Sequence, residues 1–421
     1  GTSSLRGFGC EDLPLAIGAA GALLAYLEET QKTTLGHITG ISTYFPGEYM
    51  VLDQAARRNL ELTRRLGDGS KKGTLLSVLD RTATSMGART LRSWIERPLY
   101  DLEQIRVRLD AVDALVGNTL VRAEIRDLLK SVYDMERLAG RVAYGTANAR
   151  DLVALGTSIS VVPQVIELIR RDAGDALKSV MDALDPLEPI RELIHTAIAD
   201  DPPFVLNEGG LIRAGYSPEV DRIRDAGREG KKWIARLEVQ ERDRTGIKSL
   251  KVGFNKVFGY YIEITNSNLA SVPADFMRKQ TLANAERYIT PELKEKESLV
   301  LGAEEKLIAL EYQIFTRIRQ EAAGDVARIQ RTARALAGLD ALASLAEVAV
   351  AHGYSKPTLD AGDIIRIEEA RHPVLEQSMA GEFFVPNDIM LDCDEHRLVI
   401  VTGPNMGGLS LIHISEPTRP Y

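Results

Sequence analysis

Residues 217–265 read SPEVDRIRDAGREGKKWIARLEVQERDRTGIKSLKVGFNKVFGYYIEIT. Two textures meet here. Ser217 is a good N-cap, and Pro218 fits the first helical position, where its missing N–H would be unpaired anyway. A densely charged helix is expected from there to about Arg244, ended by Thr245-Gly246. From Leu250 the period becomes two: Leu250, Val252 and Phe254 alternate, then Phe258, Tyr260, Ile262 and Ile264, with a turn near Asn255-Lys256. Thr290 and Pro291 repeat the cap-and-proline start, and a second helix runs to about Ala323. At 1.5 Å per residue each helix is on the order of 40 to 50 Å long. Helices this long and this charged stand out from a globule as a paired arm. The spacing therefore predicts a β-rich module of about 45 residues inserted at the arm's tip.

The rest of the chain is mostly helical in period. Residues 101–130 place Ile105, Leu109, Val112 and Leu115 on one helix face, and 149–171 and 185–199 behave similarly. LDRTATSMGARTLRSWIERPL (79–99) reads as a capped amphipathic helix. Thr82 or Thr84 caps it, Met86, Leu91, Trp94 and Ile95 form its apolar face, and Pro98 ends it. Arg89, Arg92 and Arg97 are expected to face water. From about Tyr354 the texture changes: DIIRIEEARHPVLE and HRLVIVT are strand-like and lead into a glycine loop, the opening of an α/β domain. The expected fold class is mostly α: a helical core with long lever helices, a small β-rich module at the arm tip, and the start of a P-loop α/β domain.

A chain of 421 residues suggests roughly three domains at about 150 residues each. Its hydrophobic fraction of 44% with only 6% aromatics predicts aliphatic cores. A net charge of −8 excludes a uniformly basic nucleic-acid binder but leaves room for a local basic patch. Cys10 and Cys393 have neither metal nor disulfide spacing, which fits a reducing compartment, and a cytoplasmic location is expected. The apolar run LPLAIGAAGALLAYL (13–27) is short for a membrane span and reads as a buried helix, so no membrane partner is expected. No basic segment leads into a cleavage site and no initiator methionine is present, so both ends are expected to be cut.

Two constellations carry chemistry. From Arg244 to Lys279 six cations face two carboxylates, a local balance of +4, with amides and tyrosines interleaved. Cations and amides so mixed bond phosphates without reading bases. The candidates are Lys248, Lys251, Asn255, Lys256, Arg278 and Lys279; a solvated hairpin with ordinary charges is the alternative. The second constellation is RLVIVTGPNMGGLS (397–410). Arg397 to Thr402 reads as a buried strand. Gly403 then opens G-x-x-x-x-G-L-S, where a phosphate loop needs G-x-x-x-x-G-K-[ST]. Gly403, Gly408 and Ser410 are in place, but Leu409 stands where the lysine belongs. Upstream, Phe383 and Phe384 are either core residues or rings for a nucleobase, and His372 is either structural or a ligand.

Together these segments resemble the MutS family of DNA mismatch-repair proteins, in its bacterial mismatch-binding branch, from roughly residue 5 to 408. LDRTATSMGARTLRSWIERPL looks like its core signature, VGFNKVFGYYIEIT and RKQTLANAERYITPELKEKE like its clamp and returning lever helix, and EARHPVLE, FVPND and VTGPNMGG like the start of its ATPase domain. The resemblance implies a connector end at 1–45, a helical core and lever at 46–244 and 291–350, a clamp at 245–290, and an ATPase start at 354–410. It also implies ATP with Mg²⁺. Phe384 and Val385 would flank the adenine with Asn387 nearby; Gly403, Pro404, Asn405, Met406, Gly407, Gly408 and Ser410 would cradle the phosphates, and Ser410 would hold the metal. Double-stranded DNA, a homodimer and a MutL-type protein are the implied partners. The family's Phe-x-Glu mismatch-reading motif has no counterpart here, and the match dissolves after Gly408. Residues 411–421 are therefore expected to be foreign to the family, and hydrolysis and mismatch selection to be lost. Two other classes remain as alternatives: a helical interaction scaffold, and an SMC/Rad50-like arm ATPase, against which stand the short β tip and the lack of a C-x-x-C pair.

Overall fold

The computed structural model describes residues 13–31, 49–172, 174–255, 259–379 and 384–399. It is mostly helical, and its residues fall into two compact units, drawn from 1–146, 154–191 and 323–421, and from 147–153 and 192–322.

The first unit is built around the helix Val326–His352, which packs against the helices Ser85–Glu96, Leu102–Gly117, Thr119–Leu129 and Met135–Ala143. Its buried surface is rich in alanine (Ala333, Ala337, Ala341, Ala343, Ala346), so neighbouring helices approach closely. Its contact with the start of Ser85–Glu96 is polar. Asp340, fully buried, accepts from the backbone N–H of Ala83 (2.9 Å) and Thr84 (2.7 Å) and from the Thr84 hydroxyl (2.7 Å). Thr84 in turn caps Ser85–Glu96 by accepting from Gly87 N–H at 2.9 Å. Gly87 is required there: a Cβ would lie 2.2 Å from an Asp340 carboxylate oxygen. One turn on, Ser344 accepts from Arg81 N–H (2.7 Å) and donates to Leu79 C=O (2.8 Å). The 79–99 signature is thus a helix start held by the side chains of a distant helix. Its Met86 and Leu91 are buried, Arg89 pairs with Asp134 and Glu136, and Arg92 is half-buried against Glu96.

The run 13–27 forms the helix Pro14–Gln31 but is not buried as expected: none of its residues is buried and Leu15, Leu23 and Tyr26 are exposed. The helices Ala149–Asp172 and Val326–His352 are long and apolar enough to cross a bilayer, but more than half of each apolar window is buried inside the protein. Residues 101–130 form two helices rather than one continuous face, because Asn118 ends the first and caps the second, accepting from Val121 N–H at 3.1 Å. The strand expected at 397–402 is not found over its described residues. Residues 397–399 are irregular and Leu398 is 80% exposed. A buried strand needs neighbours, and the only described strands nearby, Ile365–Ala370 and Asn387–Leu391, make an antiparallel pair with no third member.

In the second unit the outgoing helix Pro218–Thr245 begins where expected, with Ser217 accepting from Val220 N–H. It ends on Gly246 in the left-handed conformation (φ 74°). The returning helix Pro291–Gly324 starts with Thr290 accepting from Leu293 N–H at 3.1 Å. Between them lie β1 (Lys251–Asn255), β2 (Gly259–Thr265), β3 (Met277–Thr281) and β4 (Ala285–Ile289), in the order β1-β2-β4-β3, all neighbours antiparallel. At the base of the helices Glu311, fully buried, accepts from Leu211 N–H (2.9 Å) and from Arg224 (2.8 Å).

Candidate nucleic-acid interface

The four-stranded tip has two unlike faces because strand side chains alternate. On the inner face Ile262, Ile264 and Tyr288 pack with Phe276 and Ile289 against Ile234 and Leu237 of the outgoing helix and Leu293 and Val300 of the returning one. On the outer face Lys251, Glu263, Arg287 and Gln280 form one row across the sheet, since each is the register partner of the next. Arg287 donates to Glu263 and to Gln280 (both 3.0 Å), and its guanidinium stacks 4.1 Å from the Tyr261 ring centre. That ring lies over Gly253, where a Cβ would come within 2.7 Å of it.

Two carboxylates fix the sheet to the helices. Glu238 of the outgoing helix accepts from Val252 N–H at 2.8 Å and pairs with Arg242. Glu297 of the returning helix, 4% exposed, accepts from Tyr260 N–H (3.0 Å) and Lys294 (2.9 Å). Gly259 (φ 76°) makes room: a Cβ there would lie 2.5 Å from the Glu297 carboxylate. Neither glutamate is legible in the sequence as anything but helix-surface charge, because its partner is a backbone amide on another element.

The candidates separate on this frame. Lys248, beyond the helix end, and Lys251, opening β1, are exposed and make no ion pair among the described residues. Arg278 on β3 is engaged by Glu286 at 3.3 Å, and Glu286 also accepts from the Tyr288 hydroxyl. Burial, and then the Glu286 carboxylate, push the Tyr288 phenol up to about 12. Lys279 is exposed, Asn255 is half-buried at the end of β1, and Lys256 lies outside the described residues. Arg244 is held by Glu241 (2.7 Å) and Asp275 (3.0 Å). The local excess of positive charge is therefore carried by fewer free groups than a residue count suggests. Arg287, beyond the 244–279 window, adds no free charge, since Glu263 engages it at 3.0 Å.

Of the residues expected around a nucleotide, Phe384 is half-buried, Val385 is exposed, and Asn387 opens the strand Asn387–Leu391, bonding Val385 C=O at 3.2 Å. Phe383, Gly403, Pro404, Asn405, Met406, Gly407, Gly408 and Ser410 lie outside the described residues. His372 is structural. It caps the helix Pro373–Ser378, its Nδ1 accepting from Leu375 N–H at 3.3 Å, and burial lowers its pKa.

Comparison with known proteins places this arrangement. The chain is similar to the DNA mismatch repair protein MutS of Symbiobacterium thermophilum, 57% identical over 412 residues, covering 98% of this chain and 47% of that protein. Its likeness to the MutS proteins of Pelotomaculum thermopropionicum and Acetivibrio thermocellus is 54% in both cases, over 95% and 94% of this chain and 46% of each relative. The chain thus spans about half the length of the curated relatives it matches. The family model for MutS domain II matches residues 1–39. The model for MutS domain III matches residues 55–346, which contain the signature helix start, both arm helices and the sheet between them, and by that match the chain belongs to the MutS family.

Proposed function

We propose that this chain is the helical core and duplex-gripping clamp of a DNA mismatch-repair protein. The observation that carries the reading is the tip: a sheet anchored to two long helices by Glu238 and Glu297 that presents Lys248 and Lys251 exposed and without ion pairs among the described residues. Ammonium groups contact phosphate oxygens as point charges and read no base, so the grip is independent of sequence. The domain limits proposed are the connector end at 1–45, core and lever at 46–244 and 291–350, clamp at 245–290 and ATPase start at 354–410. In the working assembly, a homodimer closes two clamps around the duplex and engages a MutL-type partner in the cytoplasm.

ATP with Mg²⁺ belongs to the same proposal: adenine between Phe384 and Val385 near Asn387, phosphates along Gly403–Gly408, metal at Ser410. Leu409 supplies no charge where that loop needs a cation, so a triphosphate fits this loop poorly as it stands. The clamp role does not depend on it.

The experiment is a salt series of fluorescence-anisotropy titrations with a matched and a G·T duplex. Lys248→Glu with Lys251→Glu is expected to weaken both complexes equally and to reduce the slope of log K against log salt by about 1.8, at roughly 0.9 per phosphate contact. Unchanged affinity and slope would remove the tip from the interface.

A further inference from the structure

Below the tip, the outgoing and returning helices enclose an open groove of about 650 Å³. Four cations line it, Arg222 and Arg236 from one helix and Lys296 and Lys306 from the other, against one carboxylate, Glu229. Glu229 is engaged by Lys232 at 3.1 Å. None of the four cations makes an ion pair among the described residues, whereas Lys231 and Arg224 on the same outgoing helix are matched to Glu304 and Glu311. In a chain of net charge −8, a groove that leaves four cations unmatched is a site for a polyanion.

We infer that this groove is a second contact for the sugar-phosphate backbone of duplex DNA, separate from the clamp sheet. The inference rests on the duplex-binding reading above. Arg222 and Arg236 are fourteen residues apart on one helix, about 21 Å at 1.5 Å per residue, and Lys296 and Lys306 ten apart, about 15 Å. With one phosphate per 3.4 Å along a strand, these rows span about four to six nucleotide steps. The groove's aromatic argues for backbone rather than base contact. Trp233 is half-buried against the tip core, and the Lys296 ammonium lies 5.6 Å from its ring, so it offers no free platform for a base. The floor is open at Gly302, where an added Cβ would meet nothing within 4 Å.

The test uses the full chain and a random-sequence duplex in a salt series. Two variants are compared: Arg222→Glu with Lys306→Glu, and Gly302→Glu, which places a carboxylate in the groove without displacing any neighbour and replaces a helix glycine by a better helix former. Helical circular dichroism reports folding. The double variant is expected to lose about 1.8 from the salt slope, and to lose it again in the Lys248→Glu/Lys251→Glu background. Gly302→Glu is expected to weaken binding several-fold, and Arg222→Lys to bind like the parent. A clamp variant that loses slope while both groove variants bind like the parent overturns the groove and leaves the clamp standing. A parent chain that binds no duplex overturns both. Groove variants that change binding of a poly-glutamate peptide but not of the duplex assign the groove to an acidic protein segment and overturn the nucleic-acid assignment.

Discussion

Several single residues in this molecule act through backbone groups far away in sequence. Asp340 satisfies three donors at the start of Ser85–Glu96 while fully buried. Its removal leaves those donors without a partner in a dry site. Asp340→Ala is therefore expected to cost about 3 kcal/mol or more, read as a lower urea midpoint, while exposed Arg334→Ala should change stability by less than about 0.5 kcal/mol. Equal midpoints for the two variants would contradict the latch. Tyr288 offers a pH handle. Its folded pKa is raised to about 12 from an ordinary value near 10. The stabilisation is complete below about pH 10 and is lost as pH rises toward 12. Alkaline titration of tip stability is expected to fall more steeply in the parent than in Tyr288→Phe; parallel curves would show that the phenol is not so held. Of these roles, the sequence narrowed the cap to Thr82 or Thr84, because a cap acts within three residues, and the structure selects Thr84. The sequence could not expose Asp340 or Glu297, whose partners sit on other elements.

At the scale of elements, local chemistry explains what was legible. Ser217, Gly246 and Thr290 act within one turn, and both limits of the outgoing helix and the start of the returning one followed from them. Asn118 was missed because the apolar period continues across the break it makes. β3 was not distinguished because four of its five residues are exposed and show no alternation; it exists by pairing with β4. The β1–β2 hairpin is held to the returning helix through Glu297, so Glu297→Ala is expected to raise amide hydrogen exchange in β1 and β2, equivalent to about 1–3 kcal/mol of lost local stability. Exchange in Val326–His352 should not change. Unaltered protection in β2 would mean that the inner-face packing alone holds the tip.

For the molecule as a whole, the mostly helical class came from periodicity and the family from motifs in order, both of which survive without coordinates. The grouping of residues 147–153 with 192–322 was not legible, since it arises from bonds between distant segments: Arg319 to Ala147 C=O at 3.2 Å and Arg150 to Pro202 C=O at 2.8 Å. Nor was the division of the tip's cations into engaged and free ones, which depends on which carboxylates the sheet register brings beside them. The central claim is that the free ones lie against duplex phosphates. It is tested most directly by placing a photocrosslinking side chain at Lys251 and, as a control, at exposed Val350, and irradiating each protein with a random-sequence duplex at low and high salt. The account predicts a crosslink from position 251 that is independent of sequence and fades at high salt, and none from position 350. No crosslink from 251, or equal crosslinks from both positions, would contradict it.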